Sequence, residues 1–221
     1  MEELEENISK VITRYNKNDK KTLNQLIEKN GINYEYCGRD TLLSIAVYHR
    51  SSIVVKMLIK KGASAHNHSH IGLLHRVVTA KPNNTIIDML LTNGVDVNAR
   101  DHLNNTALHI LASRNDTKAL IKLIQHGAKI NVVNYNGSTP LHTASLRGSI
   151  KVIEELINQD AIIEFKNNDG QTALEVAQQY YNSETERYSK KLDYFIKQGY
   201  TMEPFKQKMD QLEQVITILT A

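Results

Sequence analysis

The sequence is poor in cysteine and in long apolar runs. Cys37 is the only cysteine, so no disulfide can form within the chain and a zinc site built from several thiolates is excluded. No stretch approaches the roughly 18 to 20 consecutive apolar residues that a membrane span requires. The acidic start of the chain also lacks the positive n-region and the apolar h-region of a secretory signal. We therefore expect a soluble, cytoplasmic protein that is stabilised by packing.

The sequence also lacks a block of charge of one sign and the common motifs of catalysis. Its 27 basic and 24 acidic residues are interspersed, which gives little support for nucleic-acid binding. Neither a G-x-x-x-x-G-K-[ST] phosphate loop nor an H-E-x-x-H helix occurs. Cys37 cannot be tied to any one histidine or acid, so we assign it no nucleophilic role. We expect no enzyme activity and no cofactor.

One motif recurs along the chain with a period of about 33 residues, a spacing that is typical of a repeat architecture. Its clearest copy is G-S-T-P-L-H-T-A, residues 137–144, and a second motif, L-I-x-x-G or L-L-x-x-G, follows most copies at a fixed distance. Two linked motifs make coincidence implausible. The central leucine of the first motif occurs in five copies, as Leu43, Leu74, Leu108, Leu141 and Leu174.

Each repeat has the features of two helices joined by a turn. Thr139 is a good N-cap, and Pro140 fits the first helical position because no donor is lost there. Leu141 and Ala144 share one face of this helix, and the apolar stripe of residues 152–157 predicts a second helix. A single pair of helices cannot bury both apolar faces, so neighbouring repeats must supply the core.

These motifs resemble the ankyrin repeat, with its T-P-L-H opening and its L-L-x-x-G-A-x-V-N close, over about residues 34–200. The resemblance implies an all-α solenoid of stacked helix-turn-helix units with short β-hairpin-like connecting loops. It also implies a function in protein–protein interaction. We predict an N-terminal capping repeat, five ankyrin repeats and a C-terminal capping helix, at 1–33, at 34–66, 67–99, 100–132, 133–165 and 166–200, and at 201–221.

The last part of the chain departs from the repeat pattern. About six extra residues around 181–186 lengthen one or both helices of the fifth repeat, or the turn between them. Asp160 replaces a capping glycine, which costs about 1 kcal/mol if the left-handed geometry is kept. Pro204 and the apolar stripe of residues 205–219 predict an amphipathic terminal helix. We expect it to cap a monomeric stack; the alternative is that its stripe docks a partner helix or mediates dimerisation.

Nine histidines raise the question of a metal site. His75, His109 and His142 occupy one repeat position, for which the resemblance implies structural hydrogen bonds. His66, His68 and His70 alternate in a connecting loop, and three imidazoles of an extended segment are able to hold a transition metal. No carboxylate or thiol stands beside them, so we predict no metal site.

Residues that the repeat does not need for folding are free to specify a partner. In ankyrin proteins these lie at the loop tips and on the exposed face of the first helix. We predict a concave binding surface because Tyr and Arg dominate interface energetics; the alternative is an ordinary polar surface. The tip candidates are His68, His102, Leu103, Tyr135, Asn136 and Asn168. The helix candidates are Tyr48, His49, Ser113, Arg114, Leu146, Arg147, Gln179 and Tyr180.

The expected function is that of a non-enzymatic adaptor or inhibitor that binds a protein. The alternative is a targeting subunit or fragment that recruits substrate to an enzyme. The abundance of Asn, Ile and Lys is similar to that of host-directed ankyrin effectors of intracellular bacteria, which raises a host protein as the partner and delivery into the host cytosol as an expectation.

Asn98 is a candidate modification site. Together with Leu90, Asp96 and Val97 it resembles the ankyrin asparagine-hydroxylation pattern, in which a leucine precedes the asparagine at this spacing. The alternative role for Asn98 is a hydrogen bond within its own loop.

Overall fold

The computed structural model describes residues 2–15, 17–36, 40–65, 72–79, 82–190 and 203–220. These residues contain twelve helices and no strand. They form two compact units, Met1–His102 and Leu103–Ala221. The helices of the first unit are α1 (Glu2–Arg14), α2 (Lys17–Asn30), α3 (Leu42–Tyr48), α4 (Ser52–Lys60), α5 (Leu73–Thr79) and α6 (Asn84–Thr92). Those of the second are α7 (Ala107–Ser113), α8 (Thr117–Gln125), α9 (Pro140–Arg147), α10 (Ile150–Asn158), α11 (Ala173–Ser189) and α12 (Glu203–Thr220).

The first unit consists of three helix pairs. Helix α1 packs against α2 and α3, α3 packs against α4 and α5, and α6 packs against both α4 and α5. Each helix contributes fully buried aliphatic side chains, so the core runs from pair to pair instead of forming one centre. These side chains include Ile8, Ile12, Leu23, Leu43, Leu58, Leu74, Ile86 and Leu90.

The second unit repeats the same arrangement and ends with an additional helix. Helices α7, α9 and α11 stack in that order, while α8 and α10 form a second row beside them. Helix α12 packs against α10 and α11. The repeating leucines at Leu108 and Leu141 are buried in the stacked helices. The period of the sequence therefore corresponds to one step of the stack.

The first helix of each repeat in the second unit begins at a capping box. Thr139 Oγ1 accepts the N–H of His142, and His142 Nδ1 accepts the N–H of Thr139 in return. Pro140 occupies the first helical position, as predicted. In α11 the same exchange pairs Thr172 with Glu175, whose Oε2 lies 2.7 Å from the Thr172 nitrogen. Each box satisfies backbone donors that the first turn leaves without intrahelical partners.

Residues with positive φ occur at two kinds of position in the repeats, each of them just after a helix. Asp160 follows α10 with φ of 63°, so the left-handed geometry expected there is kept without glycine. A second such position lies between the two helices of a repeat. Gly148, with φ of 68°, occupies it between α9 and α10, whereas Asn115 and Arg50 occupy it in other repeats. Non-glycine residues pay a modest steric penalty in this conformation.

Helix α11 contains the extra residues of the fifth repeat. It is 17 residues long, whereas α7 has 7 and α9 has 8, so the insertion lengthens the first helix of that repeat. The rest of the fifth repeat, residues 191–200, lies outside the described residues. In α12, Met209, Leu212, Val215 and Leu219 are buried. Throughout the described parts of the chain, every helix is too short or too polar to cross a membrane.

Candidate functional site

The second unit contains an open groove of about 600 Å³. The groove is formed by α7, α9 and α11 together with the loops that precede them. Seven of its lining residues are among those predicted from the sequence to bind a partner, and they therefore lie together as one surface. These are Leu103, Ser113, Asn136, Leu146, Arg147, Gln179 and Tyr180.

The lining of the groove follows the repeat period. Residues that are one period apart occupy the same place in successive repeats and therefore line the groove as rows. One row comes from the loop tips and two come from the stacked helices. The rows are Leu103, Asn136 and Asp169; Ile110, Thr143 and Val176; and Ser113, Leu146 and Gln179.

The loops beside the groove are held by asparagine side chains. Asn134 Oδ1 accepts the backbone N–H groups of Asn136 and Ser138 at 3.0 and 3.1 Å. The backbone N–H of Asn134 also donates to the Ser138 carbonyl, which closes the loop like a hairpin although no strand forms in the described residues. Asn167 makes the equivalent bonds in the next repeat. These asparagines thus shape the loops, and the neighbouring tip residues remain available for a partner.

Successive loop tips are also bonded to one another. The N–H of Tyr135 donates to the Leu103 carbonyl at 3.2 Å, and the N–H of Asn168 donates to the Asn136 carbonyl at 3.0 Å. The Asn168 side-chain amide donates to the Tyr135 carbonyl at 2.8 Å. The predicted partner-binding residue Asn168 therefore has a structural role as well. Three consecutive tips form one connected edge of the groove.

His109 and His142 lie beneath the groove and are buried. His142 Nε2 lies 3.0 Å from the carbonyl oxygen of Gln171, and His109 Nε2 lies 3.0 Å from that of Ser138. Burial lowers the pKa of His142, against the opposing effect of hydrogen bonds to the Gln171 and Phe165 carbonyls. His142 is therefore neutral near pH 7, and it joins one repeat to the next.

A cluster between α11 and α12 adjoins the groove through Tyr180, which lines it. Lys208 Nζ donates to Tyr180 Oη at 2.6 Å and to Glu184 Oε2 at 2.8 Å. Arg187 lies 3.4 Å from the other oxygen of Glu184, which is buried. The hydrogen bond from Lys208 lowers the pKa of Glu184. The Tyr188 and Phe205 rings stack with centroids 3.5 Å apart, so ionic and aromatic contacts together hold α12 against α11.

The other predicted binding residues lie elsewhere. Arg114 and Tyr135 are exposed in the second unit but do not line the groove, and 66% of the Tyr135 surface is accessible. In the first unit, Tyr48 and His49 line a separate pocket of about 180 Å³. His102 is exposed at the end of that unit. The remaining candidate, His68, is outside the described residues.

The pocket beside Tyr48 and His49 contains an ion pair. Arg76 Nη2 lies 2.7 Å from Asp40 Oδ1, and both side chains are mostly buried. His49 Nδ1 lies 3.3 Å from Thr13 Oγ1, and burial lowers the pKa of His49. The Tyr48 ring is 66% exposed and meets the His49 ring edge to face. This small surface on the first unit is polar at its base and aromatic at its rim.

The candidate metal site lies outside the described residues, whereas the candidate modification site at Asn98 lies within them. His66, His68, His70 and Cys37 lie outside the described residues. Within the described ranges, no group of three or more histidine, cysteine or acidic side chains is arranged to hold a metal. The N–H of Asn98 donates to Asp96 Oδ1 at 2.9 Å. Asn131, at the same position of the following repeat, uses its Oδ1 to accept the Ile162 N–H at 2.9 Å, which is a bridge to the next repeat.

A row of groove residues, and Lys208 beside the groove, were not among the binding residues predicted from the sequence. Ile110, Thr143 and Val176 form a row in the same period as the predicted residues, so stricter use of the period would have found them. Lys208 comes from α12, which lies outside the repeats, and no periodic signal points to it. Its position depends on how α12 packs against α11.

Comparison with known proteins identifies the repeats. A family model described as ankyrin repeats in three copies matches residues 74–163 and 108–188, which together make up just over half of the chain. The match contains the whole lining of the groove. No curated protein matches the chain significantly. Ankyrin repeats are generally protein–protein interaction modules and typically non-enzymatic. The fold is an all-α repeat solenoid, and the chain belongs to the ankyrin-repeat family.

Proposed function

We propose that the chain is a non-enzymatic adaptor or inhibitor that binds a segment of another protein in the groove of its second unit. The observation that carries this proposal is the convergence of predicted partner-binding residues on one surface. Leu103, Leu146 and Tyr180 line the same groove although they belong to three different repeats. The helices and caps beneath them are complete without these side chains.

The exposure of apolar groups in the groove supports the proposal. Leu103 is 54% exposed and Leu146 is 39% exposed, and both are surrounded by polar side chains such as Gln179 and Asn136. Burying exposed apolar surface is the main favourable contribution to most protein association. Hydrogen-bonding groups around an apolar centre are the usual anatomy of an interface. The groove combines both features.

The shape of the groove favours a peptide segment over a compact small molecule. Its volume of about 600 Å³ is within the range of ligand sites, but it is open to solvent and extends across three repeats. An extended segment would meet the same three rows of side chains in succession. The bonded loop tips and the stacked helices hold those rows in place before binding, which lowers the entropic cost of association.

Exposed residues outside the groove are further candidates for contact with the partner. Arg114, Tyr135 and Asn168 would contact a partner larger than a single segment, since all three are at the surface of the second unit. Tyr48 and His49 provide a separate surface on the first unit, and His102 is exposed at the end of that unit. The partner is expected to be a host protein if the chain is an effector, and the support for that role is the composition rich in Asn, Ile and Lys.

Affinity capture with matched variants tests the proposal. The full chain is immobilised, and proteins retained from a eukaryotic lysate are identified by mass spectrometry. The groove variant carries Leu103→Ser and Leu146→Ser. The control variant carries Ile53→Ser and Ile162→Ser, because these two isoleucines are also exposed but line no part of the groove.

The proposal predicts that a retained protein is lost with the groove variant and kept with the control variant. Circular dichroism and thermal unfolding must show that both variants are folded. A protein that both variants retain equally would place the binding surface elsewhere and contradict the proposal.

A further inference from the structure

A side pocket of about 130 Å³ adjoins the groove. Leu146, Arg147 and Tyr180 line both the groove and the pocket, so the two spaces share one wall. Helix α12 completes the pocket with Lys208, Gln211 and Leu212. The residues from α12 lie beyond the ankyrin match, which ends at residue 188. The pocket is therefore not a feature of the repeats alone.

The lining of the pocket is cationic. Arg147 is exposed and forms no ion pair with any residue that the structure describes. Two of the three N–H groups of the Lys208 ammonium are directed to Tyr180 and Glu184, which leaves one for another acceptor. The charge of Glu184 is shared between Lys208 and Arg187. The described lining of the pocket thus has two cations and no carboxylate.

We propose that this pocket receives the carboxylate of a glutamate or aspartate side chain in the bound partner segment. The inference rests on the proposed function of the groove, and it adds the chemistry of one partner residue. The Arg147 guanidinium is suited to a carboxylate because its N–H groups form a planar fork. The Gln211 amide supplies a neutral donor, and Lys208, which is paired with Glu184, supplies its third N–H.

The size and the walls of the pocket fit such a side chain. Its volume of about 130 Å³ is sufficient for a carboxylate with one or two methylene groups. Leu146 and Leu212 provide an apolar wall for those methylene groups.

The charges of the groove also limit where an acidic residue of the bound segment can lie. Asp169 belongs to the loop-tip edge of the groove, whereas Arg147 ends α9 at the opposite end of that helix. An acidic partner residue is repelled from the first position and attracted to the second. Like-charge contacts are an effective means of excluding wrong arrangements.

Selection from a display library of random linear peptides on the full chain tests the inference. We expect selected peptides to share an acidic residue at one position. Replacing that residue by its amide should weaken binding to the wild-type chain about 10-fold, since a charge-assisted hydrogen bond is lost. The same replacement should have little effect on binding to Arg147→Gln. Fluorescence anisotropy of labelled peptides gives both dissociation constants.

Two further variants distinguish a failure of this inference from a failure of the proposed groove function. Lys118→Gln removes an exposed cation of α8 that lines neither space, and it should keep the full acid dependence. Leu103→Ser alters the groove without touching the pocket, and it should weaken every peptide. Peptides that need Leu103 but show no acid preference, or an acid dependence that persists in Arg147→Gln, would overturn this inference and leave the groove function intact. Peptides that are insensitive to Leu103→Ser, or a selection that yields no binder, would count against both.

Discussion

The Nε2 atom of His142 lies 3.0 Å from the carbonyl oxygen of Gln171, a residue of the next repeat. The other ring nitrogen of His142 accepts the N–H of Thr139, at the start of its own helix. One buried imidazole thus caps a helix and joins two repeats. His109 makes the same pair of bonds with Thr106 and Ser138. The same connection therefore recurs in successive repeats and joins the stacked helices beneath the groove.

Replacement of His142 by alanine is predicted to destabilise the second unit strongly. The variant would leave the buried Thr139 N–H without its partner and would remove one of the two hydrogen bonds that the Gln171 carbonyl accepts, since the Asn167 N–H supplies the other. An expected loss of about 2 to 4 kcal/mol follows from one unsatisfied buried donor and one lost hydrogen bond. The free energy of unfolding from urea titration measures the loss. His126→Ala is the control, since that histidine is exposed at the end of α8 and its replacement should lower the free energy of unfolding only slightly. Equal losses of stability in both variants would contradict the structural role of His142.

Stability is predicted to fall as the pH drops below about 6.5. Because burial lowers the pKa of His142, the unfolded chain binds more protons than the folded chain between the folded pKa and the ordinary histidine value near 6.5. The contribution of neutral His142 to the free energy of unfolding is present in full above that range. It is lost as the pH falls through the range, because protonation of the histidine favours the unfolded chain. His49 acts in the same direction. Carboxylates with lowered pKa values, such as Glu184, affect stability only below about pH 4.5.

Urea midpoints of the wild-type chain and of His142→Ala, measured between about pH 7.5 and 5.5, test this prediction. The decline with falling pH should be shallower in the variant, because the contribution of His142 is missing. Identical slopes would show that His142 does not titrate in the predicted sense.

A pair of glycines distinguishes backbone strain from packing at the loop tips. Gly137 and Gly170 occupy the same position in successive repeats and have φ of 68° and 73°. A Cβ atom at Gly137 would collide with Asn168, whereas one at Gly170 would meet nothing within 4 Å. Substitution by alanine should therefore cost about 1 kcal/mol at Gly170, from the left-handed conformation alone, and clearly more at Gly137. Thermal unfolding of both variants measures the difference, and equal costs would mean that the tips are not bonded as described.

Glu184 is predicted to hold α12 against α11. Glu184→Gln removes the charge that Lys208 and Arg187 share, and we expect a loss of about 1 to 2 kcal/mol because hydrogen bonds to charged groups are among the stronger ones. Glu186→Gln is the matched control, since Glu186 is exposed and pairs with Lys190 on the same helix. Exposed pairs of this kind contribute little.

Hydrogen exchange of the α12 amides gives the most direct measurement of this effect. Exchange should accelerate in Glu184→Gln and remain unchanged in Glu186→Gln. Acceleration in both variants, or in neither, would show that the ion cluster does not determine how α12 docks.

The regular part of the fold could be predicted because its determinants are local and periodic. Thr139 and Pro140 mark the start of a helix through hydrogen bonding and a fixed φ, which operate without tertiary context. Leu108 and Leu141 recur at the period of the stack and are buried. The same period brings Leu103, Leu146 and Gln179 to one groove, so part of its lining could be proposed from the sequence.

Other features could not be predicted because they depend on contacts without a repeated signal. The turn between the helices of a repeat needs a positive φ, but Gly148, Asn115 and Arg50 all adopt it, so no residue type marks the position. The contact of Tyr180 with Lys208 joins two distant parts of the chain and depends on the packing of α12. The lengthened part of the fifth repeat could not be assigned from the sequence, since the extra residues suit a helix and a turn alike.

Side-chain footprinting of a bound complex shows whether the partner covers the groove. The full chain is exposed to hydroxyl radicals with and without a captured partner, and the oxidation of individual side chains is measured by mass spectrometry. The account predicts that Leu103, Leu146 and Tyr180 are protected by the partner, while Tyr34 and Ile53, exposed on the first unit, react at the same rate in both states. Protection of Tyr34 and Ile53 with no change at the groove residues would contradict it.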